Sequence, residues 1–234
     1  MRHINIRSFL DTLQRERELH VIETPVDPYL ELAEIQRRVV ASHGPALLFT
    51  NVKGTEFPVA MNLFGTRRRI DLAFGEEPHR FFKRVVEAAE ILMSPSFSRF
   101  WEFRDLAKTG IKLGTDTRRS GPVLQTAMQP PRLTTLPQIQ NWPMDGGPFL
   151  TLPIVYTEHP GSGRANIGVY RNQIYDDSTA GMHFQIHRGI GFHYYESEKQ
   201  QEPLPANIFL GGPPALILSA IAPLPENIPE AVLA

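Results

Sequence analysis

Cysteine is absent from the 234 residues. That excludes disulfides, thiol nucleophiles and thiolate metal sites, so a metal bound here needs His, Asn, Asp, Glu or water and is expected to be a hard ion such as manganese or magnesium. An excess of charge is missing too: 24 Lys and Arg stand against 25 Asp and Glu, and no overall field draws the chain to nucleic acid or an anionic membrane. No apolar run reaches the roughly 18–20 residues that cross a bilayer, and the opening Met1 to Ile6 lacks the apolar core of a secretion signal, so the expected compartment is the cytoplasm. No glycine triad follows a strand and opens a helix, which leaves a nicotinamide fingerprint and a triphosphate loop unsupported, and there is no Gly-x-Ser-x-Gly nucleophile elbow. What is present, 41% hydrophobic and 21% charged residues, is enough for one large or two small cores.

The first hundred residues alternate between helical and extended patterns. Ser8 is expected to cap a helix carrying Phe9, Leu10, Leu13 and Arg17, followed by a strand over residues 19–22. Asp27 and Pro28 read as the cap and first residue of a second helix, with Leu32, Ile35 and Val39 as its apolar stripe and Gly44-Pro45 as its stop. Residues 46–49 and 57–60 read as a hairpin turning at Lys53-Gly54, and Phe81, Val85 and Ala89 as a third helix running to about Met93. Between Phe103 and Trp142 neither period persists, which predicts an ordered linker. Beyond Asp145 the chain is strand-rich, at 150–157, 166–170 and 182–186, with a turn at 159–163. A buried helix is expected after Gly211-Gly212-Pro213-Pro214, and residues 230–234 look like the opening of another. The expected division is 1–102, an amino-terminal α/β domain; 103–145, the linker; and 146–234, an antiparallel sheet or split barrel.

The main chemical signal is a set of polar groups, Arg164, Asn166, Arg171, Gln185, His187, Arg188 and His193, among strands that otherwise want apolar faces. If buried they need partners, and a phosphate or carboxylate ligand would suit the arginines, an oxygen-and-imidazole metal site His187 and Asn166. A solvated sheet face accounts for the same residues. His183 and His187 share a face on either a helix or a strand, which alone is weak support for a metal pair. The Arg67-Arg68-Arg69 run reads as a solvated loop rather than a nucleic-acid contact, and Trp101 and Trp142 as packing residues.

These segments, taken in order, resemble the UbiD decarboxylases across essentially all of the chain. The resemblance rests on residues 7–10, 25–31, 44–49, 62–66 and 142–149, and then on Asn166 to Arg171, Gly181 to Gly189, and Pro223 to Glu226 with Glu230. It implies an α+β chain: the amino-terminal α/β domain followed by a flavin reductase-like split β-barrel, here incomplete. It also implies prenylated FMN and a divalent metal, usually manganese, with room for a monovalent cation. Asn166, His187 and Glu230 would hold the metal. Val169, Tyr170, Arg171, His183, Phe184, Gln185, His187, Arg188 and Gly189 would line the cofactor, and Arg171 would also hold the substrate carboxylate as the catalytic residue. Along one unbroken strand Asn166 and Arg171 face opposite ways, so a bulge or strand end between them is expected, with Gly168 the obvious place.

The implied reaction is non-oxidative decarboxylation of an aromatic or α,β-unsaturated acid, a prenylated hydroxybenzoate of quinone (ubiquinone) biosynthesis being one example. The implied partners are that small acid and further copies of the full-length chain; no nucleic acid is expected, and peripheral membrane contact is left open. In the family the proton donor lies well downstream of the metal-binding glutamate, whereas this sequence ends four residues after Glu230. The expectation is therefore a fragment lacking the acid/base residue, unless a partner chain completes the site. The alternative is a non-catalytic flavin-binding or assembly subunit, and a third reading is a reductase using ordinary flavin.

Overall fold

A computed structural model describes residues 3–74 and 119–222. The chain divides into two compact units, Met1–Gly75 with Pro130–Ala234, and Glu76–Gln129. The third-helix expectation, Trp101, and the segments holding Pro223 to Glu226 and Glu230 lie outside the described residues.

Helix α1 (Ile6–Arg15) starts earlier than expected, because Asn5 is extended and its side-chain oxygen accepts the Ser8 N–H at 2.9 Å. Ser8 therefore sits inside the first turn rather than capping it. Phe9 and Leu13 are fully buried one turn apart. Strand β1 (Leu19–Ile22), helix α2 (Glu31–Ala41) and strand β2 (Ala46–Phe49) form a βαβ unit with β1 and β2 parallel. Helix α2 begins later than the Asp27-Pro28 reading. The Asp27 carboxylate accepts the Tyr29 N–H at 2.8 Å while Glu31 accepts the Asp27 N–H at 2.7 Å, so these side chains hold a turn ahead of the helix. Leu32, Ile35 and Val39 face the core as expected. Strand β3 (Val59–Met61) pairs antiparallel with β2, and Gly54 takes φ +82° in the connection.

The arginine run is not a loop: Arg67–Phe74 is helix α3, packed against α1. Arg69 is 1% exposed, and its Nη1 donates to Glu18 at 3.0 Å and to the Gly44 carbonyl at 3.1 Å. A buried guanidinium needs such acceptors, and Glu18, just beyond the end of α1, supplies the charged one. Arg68, beside it, stays exposed and pairs with Glu16.

In the later half the expected run 150–157 is two strands, β4 (Phe149–Leu150) and β5 (Ile154–Glu158), interrupted at 151–153 where Pro153 has no N–H to give a ladder. Strands β6 (Ala165–Val169), β7 (Asn172–Ile174), β8 (Ala180–Met182) and β9 (Ala206–Phe209) complete two antiparallel sheets, ordered β4-β7-β8 and β6-β5-β9. The expected strand at 182–186 ends at Met182. Residues 183–188 form a loop that opens helix α4 (Gly189–Gln200). Helix α5 (Pro214–Ser219) is the expected buried helix. Ala215 and Ile217 are buried, and Ile217 packs with Ile154 and Ile167 beside Ile6 and Phe64, joining the β5-β6 sheet to the α1 layer. Trp142 departs from expectation: its side chain is 62% exposed. Among the described residues no helix is long and apolar enough to cross a membrane.

Candidate functional site

The site forms where β6 ends. Pairing with β5 is regular, Thr157 opposite Asn166, Val155 opposite Gly168 and Ile154 opposite Val169, so Gly168 carries no bulge. The strand stops after Val169 instead, and the chain crosses at Tyr170-Arg171 to β7 in the other sheet. This strand end removes the face conflict between Asn166 and Arg171. Gly168 has a different role: a Cβ there would lie 2.5 Å from the Tyr170 ring, so the missing side chain lets that ring fold back on the strand. Asn172 Nδ2 donates to the Tyr170 carbonyl at 2.7 Å and pins the crossing.

Past β8 the ladder extends by one bond, the His183 N–H donating to the Arg171 carbonyl at 3.4 Å, which sets those residues side by side. The Arg188 N–H donates to the Gln185 carbonyl at 3.0 Å and turns the loop into α4. The result is a cleft of 490 Å³ lined by Phe149, Gly168, Val169, Tyr170, Arg171, His183, Phe184, Gln185, Arg188, Ala220 and Ile221. Seven residues assigned from sequence to the cofactor are on this wall. His187 and Gly189 are not, His187 being exposed in the loop. Gly189 opens α4 directly against Asn166, whose Oδ1 would lie 1.9 Å from any Cβ at that position. Asn166 is 9% exposed and its Nδ2 has no hydrogen-bond partner. Glu230 is outside the described residues, among which no group of three or more His, Asp or Glu gathers.

Arg171 and Arg188 are the arginines of the wall, and Arg171 is the one held by a carboxylate. Its Nη2 and Nη1 donate to Asp145 at 3.0 and 3.4 Å, and its guanidinium carbon lies 3.9 Å from the centre of the Phe149 ring. The Arg171 hydrogen bonds hold the Asp145 carboxyl below the usual carboxylate range against the opposing effect of its burial, with smaller help from the Trp142 and Asn141 N–H groups. Asp145 and Phe149 were not assigned to the site from sequence. Their signal lies in the turn they flank, where Gly147 takes φ +151° and Gln173 Nε2 donates to the Gly146 carbonyl at 2.6 Å. Behind the cleft, His193 on α4 shares a 2.9 Å hydrogen bond with Thr157, and burial followed by repulsion from His159 and Arg164 pushes its pKa down.

Residues 10–89 match the family model described as the 3-octaprenyl-4-hydroxybenzoate carboxy-lyase N-terminal domain, and residues 115–234 that of the corresponding Rift-related domain. The chain belongs to the UbiD family. An uncharacterised Chlamydia muridarum protein is 52% identical over 229 residues, 97% of this chain and 39% of its own length. A Chlamydia pneumoniae relative, named as one subunit of a 4-hydroxybenzoate decarboxylase, is 45% identical, over 98% of this chain and 39% of its own. Among solved structures, vanillic acid decarboxylase of Sedimentibacter hydroxybenzoicus in closed form superposes with a TM-score of 0.78 at 22% identity, covering 99% of this chain and 48% of that one. An evolved dimeric form of the UbiD-class enzyme HmfF from Pelotomaculum thermopropionicum, in complex with prFMN, gives 0.76 at 22% identity, covering 99% and 51%. These UbiD-family chains are longer: this one spans about two fifths of the curated relatives' length and about half that of the solved chains.

Proposed function

We propose that this chain carries the flavin- and metal-binding part of a non-oxidative decarboxylase, a carboxy-lyase acting on an aromatic or α,β-unsaturated acid with prenylated FMN and a divalent metal, manganese first. The observation that carries the reading is the convergence of Val169, Tyr170, Arg171, His183, Phe184, Gln185 and Arg188 on one cleft. Arg171 would hold the substrate carboxylate, the apolar Val169 and Phe184 would exclude water, and Gln185 and His183 would offer hydrogen bonds to a flavin ring. Arg188 and the first N–H groups of α4 favour a phosphate. For the metal, an amide oxygen, an imidazole and a carboxylate from Asn166, His187 and Glu230 suit a hard cation, while the buried Asn166 Nδ2, a donor without an acceptor, would be free to meet an oxygen of the bound group. The cofactor, when bound, supplies the electron-accepting ring that lets carbon dioxide leave.

The two later sheets are taken as parts of a flavin reductase-like split barrel, and the division at 102 and 145 as the domain plan. The substrate class includes hydroxybenzoates of quinone synthesis, the compartment is the cytoplasm, and the full-length assembly is a homo-oligomer. To test the reading, the protein is reconstituted with prenylated FMN and manganese, and retained flavin absorbance is compared in wild type, Asn166→Ala and His187→Ala. Wild type is expected to keep the flavin and both variants to lose it; equal, negligible retention in all three defeats the proposal.

A second reading, a flavin-binding or assembly subunit, is favoured by the Chlamydia pneumoniae relative, whose name makes it one subunit of a decarboxylase. Light scattering and co-purification separate the two. A monomeric, partnerless protein that turns over an acid rules the second out.

A further inference from the structure

Arg171 reaches the cleft with half of its fork already taken. A guanidinium offers five N–H donors on two usable edges: the end, between Nη1 and Nη2, and the side, between Nε and Nη2. Asp145 takes the end edge, accepting from Nη1 at 3.4 Å and Nη2 at 3.0 Å. Asp145 is itself fixed, accepting the backbone N–H groups of Asn141 at 3.3 Å and Trp142 at 3.2 Å, and its side chain is only 12% exposed. The Phe149 ring covers one face of the guanidinium at 3.9 Å. The side edge differs: Nε is buried and donates to nothing. A buried donor without an acceptor is costly, and on the wall of a cleft it is placed to take an atom of a ligand.

We propose that Asp145 is a positioning residue for Arg171: by holding the end of the fork against Phe149 it leaves the Nε–Nη2 edge as the face offered to a substrate carboxylate. The inference rests on the decarboxylase reading, in which Arg171 takes that carboxylate. It assigns Asp145 a sign as well as a place. The carboxylate of Asp145 partly neutralises Arg171 and should weaken the hold on a second anion, so its removal strengthens carboxylate binding if charge alone matters. Loss of orientation acts the other way, because a freed arginine has many rotamers and a two-point contact needs one.

The test uses the chain loaded with prenylated FMN and manganese, and compares benzoate with benzamide by calorimetry in wild type and Asp145→Asn, which keeps the shape and removes the charge. The preference for benzoate over benzamide is expected to fall about tenfold in the variant, with flavin retention unchanged. Nitrogen-15 spectra add a readout that a merely structural role does not move: in wild type the Arg171 Nε–H resonance shifts with benzoate and not with benzamide, and in Asp145→Asn that selective shift is lost. If Asp145→Asn does not fold, Phe149→Leu, which loosens the same guanidinium from its other contact, is expected to lower the preference in the same direction. Tighter benzoate binding in Asp145→Asn, or an unchanged preference with an unchanged spectrum, overturns the proposal while leaving the cofactor site standing. Failure of wild type to retain flavin sinks the decarboxylase reading, and this inference with it.

Discussion

Asn166→Ala separates a ligand-holding residue from a structural one by the sign of its effect on stability. In the folded protein the Asn166 side chain is nine-tenths buried and its Nδ2 has no acceptor. An unsatisfied buried donor costs about 1–3 kcal/mol. Removing the carboxamide recovers that and opens a small cavity, which costs about 1 kcal/mol. The metal-free variant is thus expected to be between about 0 and 2 kcal/mol more stable than wild type, whereas a fully bonded buried asparagine would lose about 1–3 kcal/mol on truncation. Urea unfolding without flavin or metal measures the first quantity. Adding manganese at about one hundred times its dissociation constant should then raise wild-type stability by about 2.7 kcal/mol and leave the variant unmoved. A variant more than about 1 kcal/mol less stable than wild type in the metal-free state would refute the reading of the Asn166 Nδ2 as an unsatisfied donor, and equal stabilisation of both proteins by manganese would refute Asn166 as a metal ligand.

Arg69→Ala is expected to cost about 3 kcal/mol, because it empties the buried place of a guanidinium and removes the nearer cation of the half-buried Glu18, while Arg68→Ala, one residue away in exposed pairs with Glu16 and Glu18, should cost less than about 1 kcal/mol; urea midpoints of the two variants check the contrast, and similar losses would mean that α3 is not seated as described. His193 supplies a pH dependence. Its folded pKa lies below the ordinary value of 6.5, first through burial and then through His159 and Arg164, so the unfolded chain binds the proton more readily. Stability is whole above the unfolded value and declines as pH falls from there through the folded one. His193→Gln, able to keep a hydrogen bond to Thr157, should flatten that decline between about pH 7 and 5, as followed by chemical denaturation at several pH values, and an unchanged slope would assign the decline to other groups.

What could be read from the sequence follows the range over which each feature is decided. Strands β1, β2 and β3 and helix α5 were legible as short apolar runs bounded by turn residues, and the buried Ala46, Leu47, Phe49, Val59, Ala215 and Ile217 lie within them. Helix α4 was not, because its buried stripe is Ile190, His193 and Ser197 while Phe192, Tyr194 and Tyr195 face outward, so hydrophobicity runs against burial. Helix α3 was misread for a related reason: an arginine triplet looks solvated until Glu18, 51 residues earlier, turns one member inward.

The candidate site shows the same division more sharply. Seven of the eleven wall residues were legible through resemblance, since each phrase carries its own loop, while His187 and Gly189 fall off the wall and Phe149 was missed. The geometry that makes the wall usable was not legible, because it lies in pairings between distant segments. The strand end after Val169 depends on which sheet accepts Asn172, a choice made by Leu150 and Met182, so local sequence pointed to Gly168 and to a bulge that is not there. The partner of Arg171 lies 26 residues away in a turn that reads as a connection. An isolated carboxylate next to two glycines has no pattern to mark it, and only the buried Nε left on the other side of the guanidinium gives the pair a direction. A charged cleft residue is therefore best judged by which of its donors the fold has already used, because the remaining edge, rather than the charge, determines the shape of anion it can take.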